Sequence, residues 1–117
     1  MKNVLIPLAP GFEEIETLTV VDILRRSGAR VSIAGIVDGV IEGSRGVKLL
    51  ADESINNINS EKFDVMILHG GQPGTDNLKK NPKVTRLLKE MESKKKIIGA
   101  ICAAPIILEE NGLLRKR

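Results

Sequence analysis

The sequence predicts an α/β domain of the flavodoxin-like type, in which a doubly wound, mostly parallel sheet is sandwiched by helices. Short apolar runs typical of buried strands alternate with amphipathic stretches typical of helices. The connections between them are short, as in the right-handed crossovers of a parallel sheet. The chain has 117 residues, enough for one hydrophobic core and too few for two. We therefore expect a single domain over residues 1–117.

The first half of the chain alternates strand and helix. Val4–Leu8 is an apolar run that ends at a Pro-Gly turn, which favours a buried strand. Glu13–Arg26 begins with acids and ends with bases, as a helix aligned with its dipole does, and Gly28 is placed to close it. Val31–Ile36 follows as a second strand after a short link. Residues 38–59 carry a weaker pattern, with two short apolar runs that indicate a hairpin.

The second half repeats the alternation. Asp64–Leu68 and Lys96–Ile101 are apolar enough to predict buried strands. Between them a helix is expected from Asn81 to Glu92, with Asn81 as its N-cap and Pro82 at its first position. Its apolar side chains recur at helical spacing at Val84, Leu87, Leu88 and Met91. A last helix is predicted over Ala103–Glu110.

Composition narrows the function. Hydrophobic residues make up 42% of the chain and charged residues 28%, as in a soluble globular protein, and no apolar run is long enough to span a membrane. One cysteine and one histidine allow neither an internal disulfide nor a Cys/His metal cage, which favours the cytoplasm. The net charge of +3 lies largely in Lys94–Lys96 and Arg115–Arg117. Without Tyr or Trp for base stacking, we expect solvated faces there and no nucleic-acid partner.

The candidate site follows from the fold class, because open parallel sheets bind ligands beyond the carboxyl ends of their strands. Three segments fall there: Ala9–Glu16, His69–Gly74 and Cys102–Pro105. Cys102 stands between a strand and a helix, as in a nucleophile elbow, and a helix N-terminus favours its thiolate. A lone cysteine is more often buried and inert, but this position favours reactivity.

The other two segments offer partners for the thiol. Among Glu13, Glu14 and Glu16, at least two are expected to compensate the helix dipole, while one could serve as general acid or base. Spacing alone does not choose between them. The glycine pair after His69 could donate backbone N–H groups to an oxyanion, or could simply form a tight turn. His69 is a candidate base for Cys102, although a structural role is the commoner one.

Three motifs taken together resemble those of the ThiJ/PfpI family. Residues 11–16, Gly-Phe-Glu-Glu-Ile-Glu, are similar to its Gly-x-Glu-Glu-x-Glu signature. Residues 70–78 resemble its glycine loop, and residues 100–105, Ala-Ile-Cys-Ala-Ala-Pro, resemble its cysteine elbow. The resemblance runs from Val4 to Gly112 and includes Ser44 and Arg45. An alanine, Ala103, follows the cysteine where the PfpI protease branch has a histidine. In this the chain resembles the deglycase-like Parkinson-disease-protein branch of the family.

The resemblance implies a site and an activity. Glu16 would share a proton with Cys102, and the N–H groups of Gly71 and Ala103 would form the oxyanion hole. Arg45 would bind anions or lie at an interface of a homodimer. Relatives imply cofactor-independent glyoxalase or deglycase chemistry on reactive carbonyls, without a metal. An older name used in the family refers to thiazole monophosphate biosynthesis.

The family continues past the position of Gly112, with further elements and a histidine near the cysteine. We therefore expect C-terminal elements to be missing from residues 1–117, and a companion C-terminal fragment is a candidate partner. Turnover is expected of the complete domain rather than of this chain alone.

Two other functions stay open. One is a redox-sensing stress-response chaperone with little turnover, and the other a cysteine amidase or peptidase, a hydrolase that needs a Cys–His pair. An FMN-binding module is not favoured, because Ala9–Glu13 is acidic and too short for a phosphate loop.

Overall fold

The computed structural model describes residues 2–100. The strands are β1 (Asn3–Leu8), β2 (Arg30–Gly35), β3 (Val40–Glu42), β4 (Lys48–Leu50), β5 (Glu53–Ser54), β6 (Val65–Leu68) and β7 (Ile97–Ala100). The α-helices are α1 (Glu14–Arg26), α2 (Gly74–Lys80) and α3 (Pro82–Ser93), and two short 3-10 turns cover Ile55–Asn57 and Ser60–Lys62.

Five strands form one parallel sheet in the order β5-β2-β1-β6-β7. β1 lies at its centre and pairs with β2 over six residues, from Asn3 opposite Arg30 to Leu8 opposite Gly35. β3 and β4 form a separate antiparallel hairpin, with Val40 opposite Leu50. The predicted fold class, a mostly parallel sheet between helices, is confirmed.

Local sequence explains the two long helices. The Glu13 side chain caps α1 by accepting hydrogen bonds from the backbone of Ile15 and Glu16. Gly28 follows the helix with φ of +96°, a conformation that glycine adopts without strain. In α3 the Asn81 carboxamide accepts from the next two backbone N–H groups after Pro82, as predicted.

The core lies on both faces of the sheet. On one face, α2 and α3 cover Leu5, Met66 and Leu68. The predicted apolar face of α3 is confirmed, because its four members, Val84, Leu87, Leu88 and Met91, are fully buried there. On the other face, Val21 of α1 and Ile41 of the hairpin pack in a cluster whose strand residues are Val4, Ile6, Leu8, Val31 and Ile33. Alternate residues of β1 thus serve opposite faces of the sheet.

The α1 face of the sheet is less covered over β6 and β7. Val65 and Ile67 are half-buried there, and Ile97 is 61% exposed. An apolar groove of about 320 Å³ separates β6 from the end of α1, where Leu24 and Gly28 line it. This groove and Ile97 make up what we call the open face. None of the helices in residues 2–100 is long and apolar enough to cross a membrane.

The structure adds elements that the sequence did not predict. α2 occupies Gly74–Lys80, so the second half of the predicted glycine loop, residues 70–78, is helical. β5 adds a two-residue edge strand beside Ala34 and Gly35. The predicted helix Ala103–Glu110 lies outside the described residues.

Candidate active site

Two of the three predicted segments meet at the carboxyl ends of β1 and β6. The backbone N–H of Glu13 donates to the Gly70 carbonyl at 3.0 Å, and the N–H of Gly74 donates to the Gly11 carbonyl at 3.1 Å. The Asn77 side chain donates to the Pro10 carbonyl at 2.8 Å. Residues 9–13, which we call the first loop, and the glycine loop are therefore joined mainly through backbone groups.

The turn of the β3–β4 hairpin joins the same assembly. The N–H of Gly11 donates to the Glu42 carbonyl at 2.8 Å, and the N–H of Ser44 donates to the Phe12 carbonyl at 2.9 Å. The turn brings Arg45, which is exposed, beside the beginning of α1. The loop 9–13 thus lies between the glycine loop and the hairpin turn and bonds to both.

Close packing in this assembly depends on glycine. Gly71 has φ of +91°, and a Cβ there would lie 2.6 Å from the backbone nitrogen of Glu13. Gly11 has φ of +85°, and a Cβ there would lie 2.5 Å from Cδ of Pro73. Larger residues at either position would separate the loops. None of the described residues accepts a hydrogen bond from the Gly71 N–H, which is compatible with a role in binding an oxyanion.

The three acids at the start of α1, Glu13, Glu14 and Glu16, have different environments. Glu13 is the N-cap of α1. Glu14 is buried, and its carboxylate accepts hydrogen bonds from the hairpin turn. Glu16 is half-buried on the first turn of α1. The role of Glu14 could not be predicted from the sequence, since spacing along a helix does not reveal a partner about thirty residues away.

The charge state of Glu14 reflects two opposing effects. Burial disfavours the carboxylate and acts to raise its pKa. Hydrogen bonds from the backbone of Arg45 and Val47 and from the Ser44 hydroxyl outweigh burial, so the pKa of Glu14 lies below its ordinary value. Glu14 is therefore an anion at neutral pH.

His69 is buried, and both of its ring nitrogens contact the backbone. Nε2 accepts a hydrogen bond from the N–H of Ala9 at 3.1 Å, and Nδ1 lies 3.0 Å from the Gly70 carbonyl, to which it donates in the matching tautomer. The ring also packs edge-on against Phe12, with centroids 6.1 Å apart. Burial lowers the pKa of His69, which the Gly70 carbonyl only partly offsets. This geometry holds the ring neutral between the first loop and the glycine loop.

The predicted nucleophile Cys102 and the predicted oxyanion-hole residue Ala103 lie outside the described residues. The strand that leads to them is described: β7 pairs in parallel with β6, and Ala100 lies opposite Leu68. β7 therefore ends beside the strand from which the glycine loop departs. Among residues 2–100, no group of three or more His, Cys, Asp or Glu side chains is placed to hold a metal ion.

Similar proteins carry the comparison further. The chain is 42% identical over 113 residues to Protein dj-1beta of Drosophila melanogaster, covering 96% of this chain and 60% of that protein. It is 34% identical over 117 residues to a Caenorhabditis elegans protein named glutathione-independent glyoxalase DJR-1.2, covering 99% of this chain and 62% of that protein. It also superposes on the solved structure of oxidized Toxoplasma gondii DJ-1 with a TM-score of 0.93 and 38% identity, covering 97% of this chain and 63% of that one.

The chain thus spans roughly 60% of the length of these relatives. The model of the DJ-1/PfpI family matches residues 2–117, which is nearly all of the sequence. This match agrees with the parallel sheet and with the three motifs on which the resemblance was based. The chain therefore belongs to the DJ-1/PfpI family.

Proposed function

We propose that the complete domain is a cysteine-dependent, cofactor-independent enzyme that acts on reactive carbonyls by glyoxalase- or deglycase-type chemistry. One observation carries the proposal. The first loop and the glycine loop are hydrogen-bonded to each other at the carboxyl ends of the parallel strands, and β7 ends on that same side of the sheet. Cys102 follows β7 by two residues, Glu16 lies on the first turn of α1 directly after the first loop, and Gly71 belongs to the glycine loop. A relative named as a glutathione-independent glyoxalase supports the activity.

The chemistry requires no external oxidant. The Cys102 thiolate attacks the aldehyde carbon of an α-oxoaldehyde, a C–S bond forms, and the carbonyl electron pair moves to oxygen. The N–H groups of Gly71 and Ala103 are proposed to stabilise that oxyanion, which then takes up a proton to give a hemithioacetal. Glu16 removes the proton from the former aldehyde carbon and returns it to the neighbouring carbon. The hydroxyl proton of the hemithioacetal passes to the former ketone oxygen, which leaves a thioester of a 2-hydroxy acid on Cys102. Water then cleaves the C–S bond of this thioester and releases the 2-hydroxy acid and the thiol, so that one carbon is oxidised and its neighbour reduced.

His69 has no proton-transfer role in this proposal. Both of its ring nitrogens are engaged by backbone groups of the loops, at Ala9 and Gly70. Its contribution is to hold the first loop and the glycine loop at their separation. An amidase or peptidase mechanism, which would need a cysteine–histidine pair, is accordingly the weaker alternative for residues 1–117.

The test is the conversion of methylglyoxal to lactate by the complete domain. Cys102→Ala should abolish turnover, and Glu16→Gln should lower it by at least about 100-fold, the usual contribution of a general acid or base. Asp22→Asn is a matched control, since Asp22 lies on the same helix in an exposed ion pair with Arg26. Lactate formation by Cys102→Ala at the wild-type rate would rule the mechanism out.

A redox-responsive function is the second candidate. It is favoured by the relative solved as oxidized DJ-1, and an accessible low-pKa thiol is the group that peroxide attacks first. Addition of two oxygen atoms to Cys102 on mild peroxide treatment, without methylglyoxal turnover in the reduced protein, would support this stress-response role. Turnover without such sensitivity would support the enzyme.

Partners and location are proposals of the same kind. We propose that the protein is cytoplasmic. We also propose that it forms a homodimer or binds a companion C-terminal fragment, because the open face around Ile97 leaves apolar surface available. Arg45 is exposed on the hairpin turn, where it can bind an anion or contact a second subunit. Intact mass of the purified protein under native and denaturing conditions distinguishes a monomer, a dimer and a complex with a second fragment.

A further inference from the structure

The buried carboxylate of Glu14 links two parts of the candidate active site. Its side chain leaves the first turn of α1 and is 7% exposed. Oε2 accepts from the backbone N–H of Arg45 at 2.7 Å and of Val47 at 3.2 Å, while Oε1 accepts from the Ser44 hydroxyl at 3.2 Å. All three donors belong to the turn between β3 and β4. Glu14 thus receives hydrogen bonds from a single turn that lies far away in sequence.

The turn is shaped around this carboxylate. A Cβ at Gly43 would lie 2.6 Å from both Cδ and Oε2 of Glu14, so that glycine allows the turn to close over the carboxyl group. The turn is closed by its own backbone bonds, from Gly43 to the Val47 carbonyl and from Gly46 to the Gly43 carbonyl. Charge adds to the fit, because the anion accepts hydrogen bonds from N–H groups more strongly than a neutral group would.

The two linked segments carry different proposed site residues. Glu16 lies two residues after Glu14 on α1, and Arg45 is itself one of the donors. Successive residues of an α-helix are related by a fixed rise and rotation, so a shift of Glu14 moves Glu16 with it. A shift of the turn likewise moves the backbone of Arg45. The Glu14 hydrogen bonds therefore tie the backbone that carries Glu16 to the backbone that carries Arg45.

We propose that Glu14 is a positioning residue, which fixes the start of α1 and the hairpin turn so that Glu16 and Arg45 keep their places in the active site. This inference rests on the proposed function, which assigns the proton transfer to Glu16. Glu14 does not touch the substrate and acts through its neighbours. The expected consequence of its loss is a misplaced Glu16, and misplacement by about 1 Å costs an enzyme on the order of 100-fold in rate.

The kinetic test compares two replacements of Glu14. Alanine removes all three hydrogen bonds, whereas glutamine can offer its carbonyl oxygen to the two N–H groups and its amide to the Ser44 hydroxyl. Glu14→Ala should lower kcat for methylglyoxal by about 100-fold in the folded protein, with KM changed by only a few-fold. Glu14→Gln should restore kcat to within a few-fold of wild type. Asp22→Asn, which replaces an exposed acid farther along the same helix, is the matched control.

A second readout does not depend on turnover. The pH dependence of Cys102 alkylation by iodoacetamide reports the thiol pKa, and Glu16→Gln provides the reference shift that follows when the carboxylate is lost. Glu14→Ala should shift the profile in the same direction, and Glu14→Gln should not. If the complete wild-type domain lacks turnover while its Glu14 variants show this pattern of shifts, the proposed activity is refuted and the positioning role is supported. A folded Glu14→Ala variant with wild-type kcat and alkylation profile, or a Glu14→Gln variant as impaired as Glu14→Ala, would overturn the inference.

Discussion

Acidification below about pH 6.5 should destabilise this fold through its single histidine. His69 is 1% exposed, and its Nε2 accepts a hydrogen bond from the Ala9 N–H. Protonation turns Nε2 into a donor that faces another donor, and it places a positive charge in a buried site. Both effects oppose the charged form. Burial lowers the pKa of His69, and the hydrogen bond to the Gly70 carbonyl offsets this only in part.

The direction and size of the effect follow from proton linkage. The pKa of His69 in the folded chain lies below the value of 6.5 expected when the chain is unfolded, so the unfolded state binds more protons between those two values. The stabilising contribution is fully present above pH 6.5 and is lost as the pH falls from there through the folded-state pKa. One proton limits the slope to about 1.4 kcal/mol of unfolding free energy per pH unit.

The free energy of unfolding is measured by urea denaturation at about pH 7.5, about pH 6.5 and about pH 5.5, and the imidazole is titrated by NMR. Since the sequence contains one histidine, its ring resonance can be assigned without ambiguity. His69→Gln is the control, because a glutamine carbonyl can accept from the Ala9 N–H and does not titrate in this range. Its unfolding free energy should fall less steeply with decreasing pH than that of the wild type.

Two results would refute this reasoning. A His69 resonance in the folded protein that titrates at or above pH 6.5 would show that the ring is not held neutral by burial. Parallel stability curves for wild type and His69→Gln would show that other groups produce the acid sensitivity. The NMR titration uses wild-type protein alone, so that it decides the question even where His69→Gln does not fold.

Three further predictions concern the scaffold. Leu88→Ala should lower the unfolding free energy by about 2–5 kcal/mol because it leaves a cavity under α3, whereas Leu50→Ala at a 72% exposed position should change it by less than about 0.5 kcal/mol; urea denaturation measures both. Asn81→Ala should cost about 1 kcal/mol in the same assay through loss of the α3 N-cap, and an unchanged midpoint would contradict the capping assignment. Gly11→Ala should separate the first loop from Pro73, which amide hydrogen exchange of the Gly74 N–H would report as lost protection.

Local patterns predicted those elements that local chemistry specifies. α3 has an asparagine cap, a proline at its first position and an apolar stripe, and all three are visible in sequence. α2 was missed because it starts at Gly74 and contains residues typical of turns. Tertiary contacts stabilise it, through the burial of Leu78 and the Asn77 hydrogen bond to Pro10. β5 was missed because a two-residue polar strand exists only through its pairing with β2.

The site shows the same division. The order of the three motifs and the rule that ligands bind at the carboxyl ends of parallel strands predicted that the first loop and the glycine loop would be neighbours, and they are. Sequence did not separate the tasks of Glu13 and Glu14, because one acts on its own helix and the other on a turn about thirty residues away. The hydrogen bonds of His69 were equally hidden, since its partner Ala9 is sixty residues distant.

The first loop, the glycine loop and the turn between β3 and β4 are joined largely through main-chain groups, and this has an evolutionary consequence. A frame held largely by backbone N–H and carbonyl groups places few demands on its other side chains, apart from the glycines at its close contacts and the bonded side chains of Glu14, His69 and Asn77. An exposed position of the frame, such as Gln72, can then vary while the frame stays in place. A frame of this kind would let one fold acquire different substrates through changes at its rim.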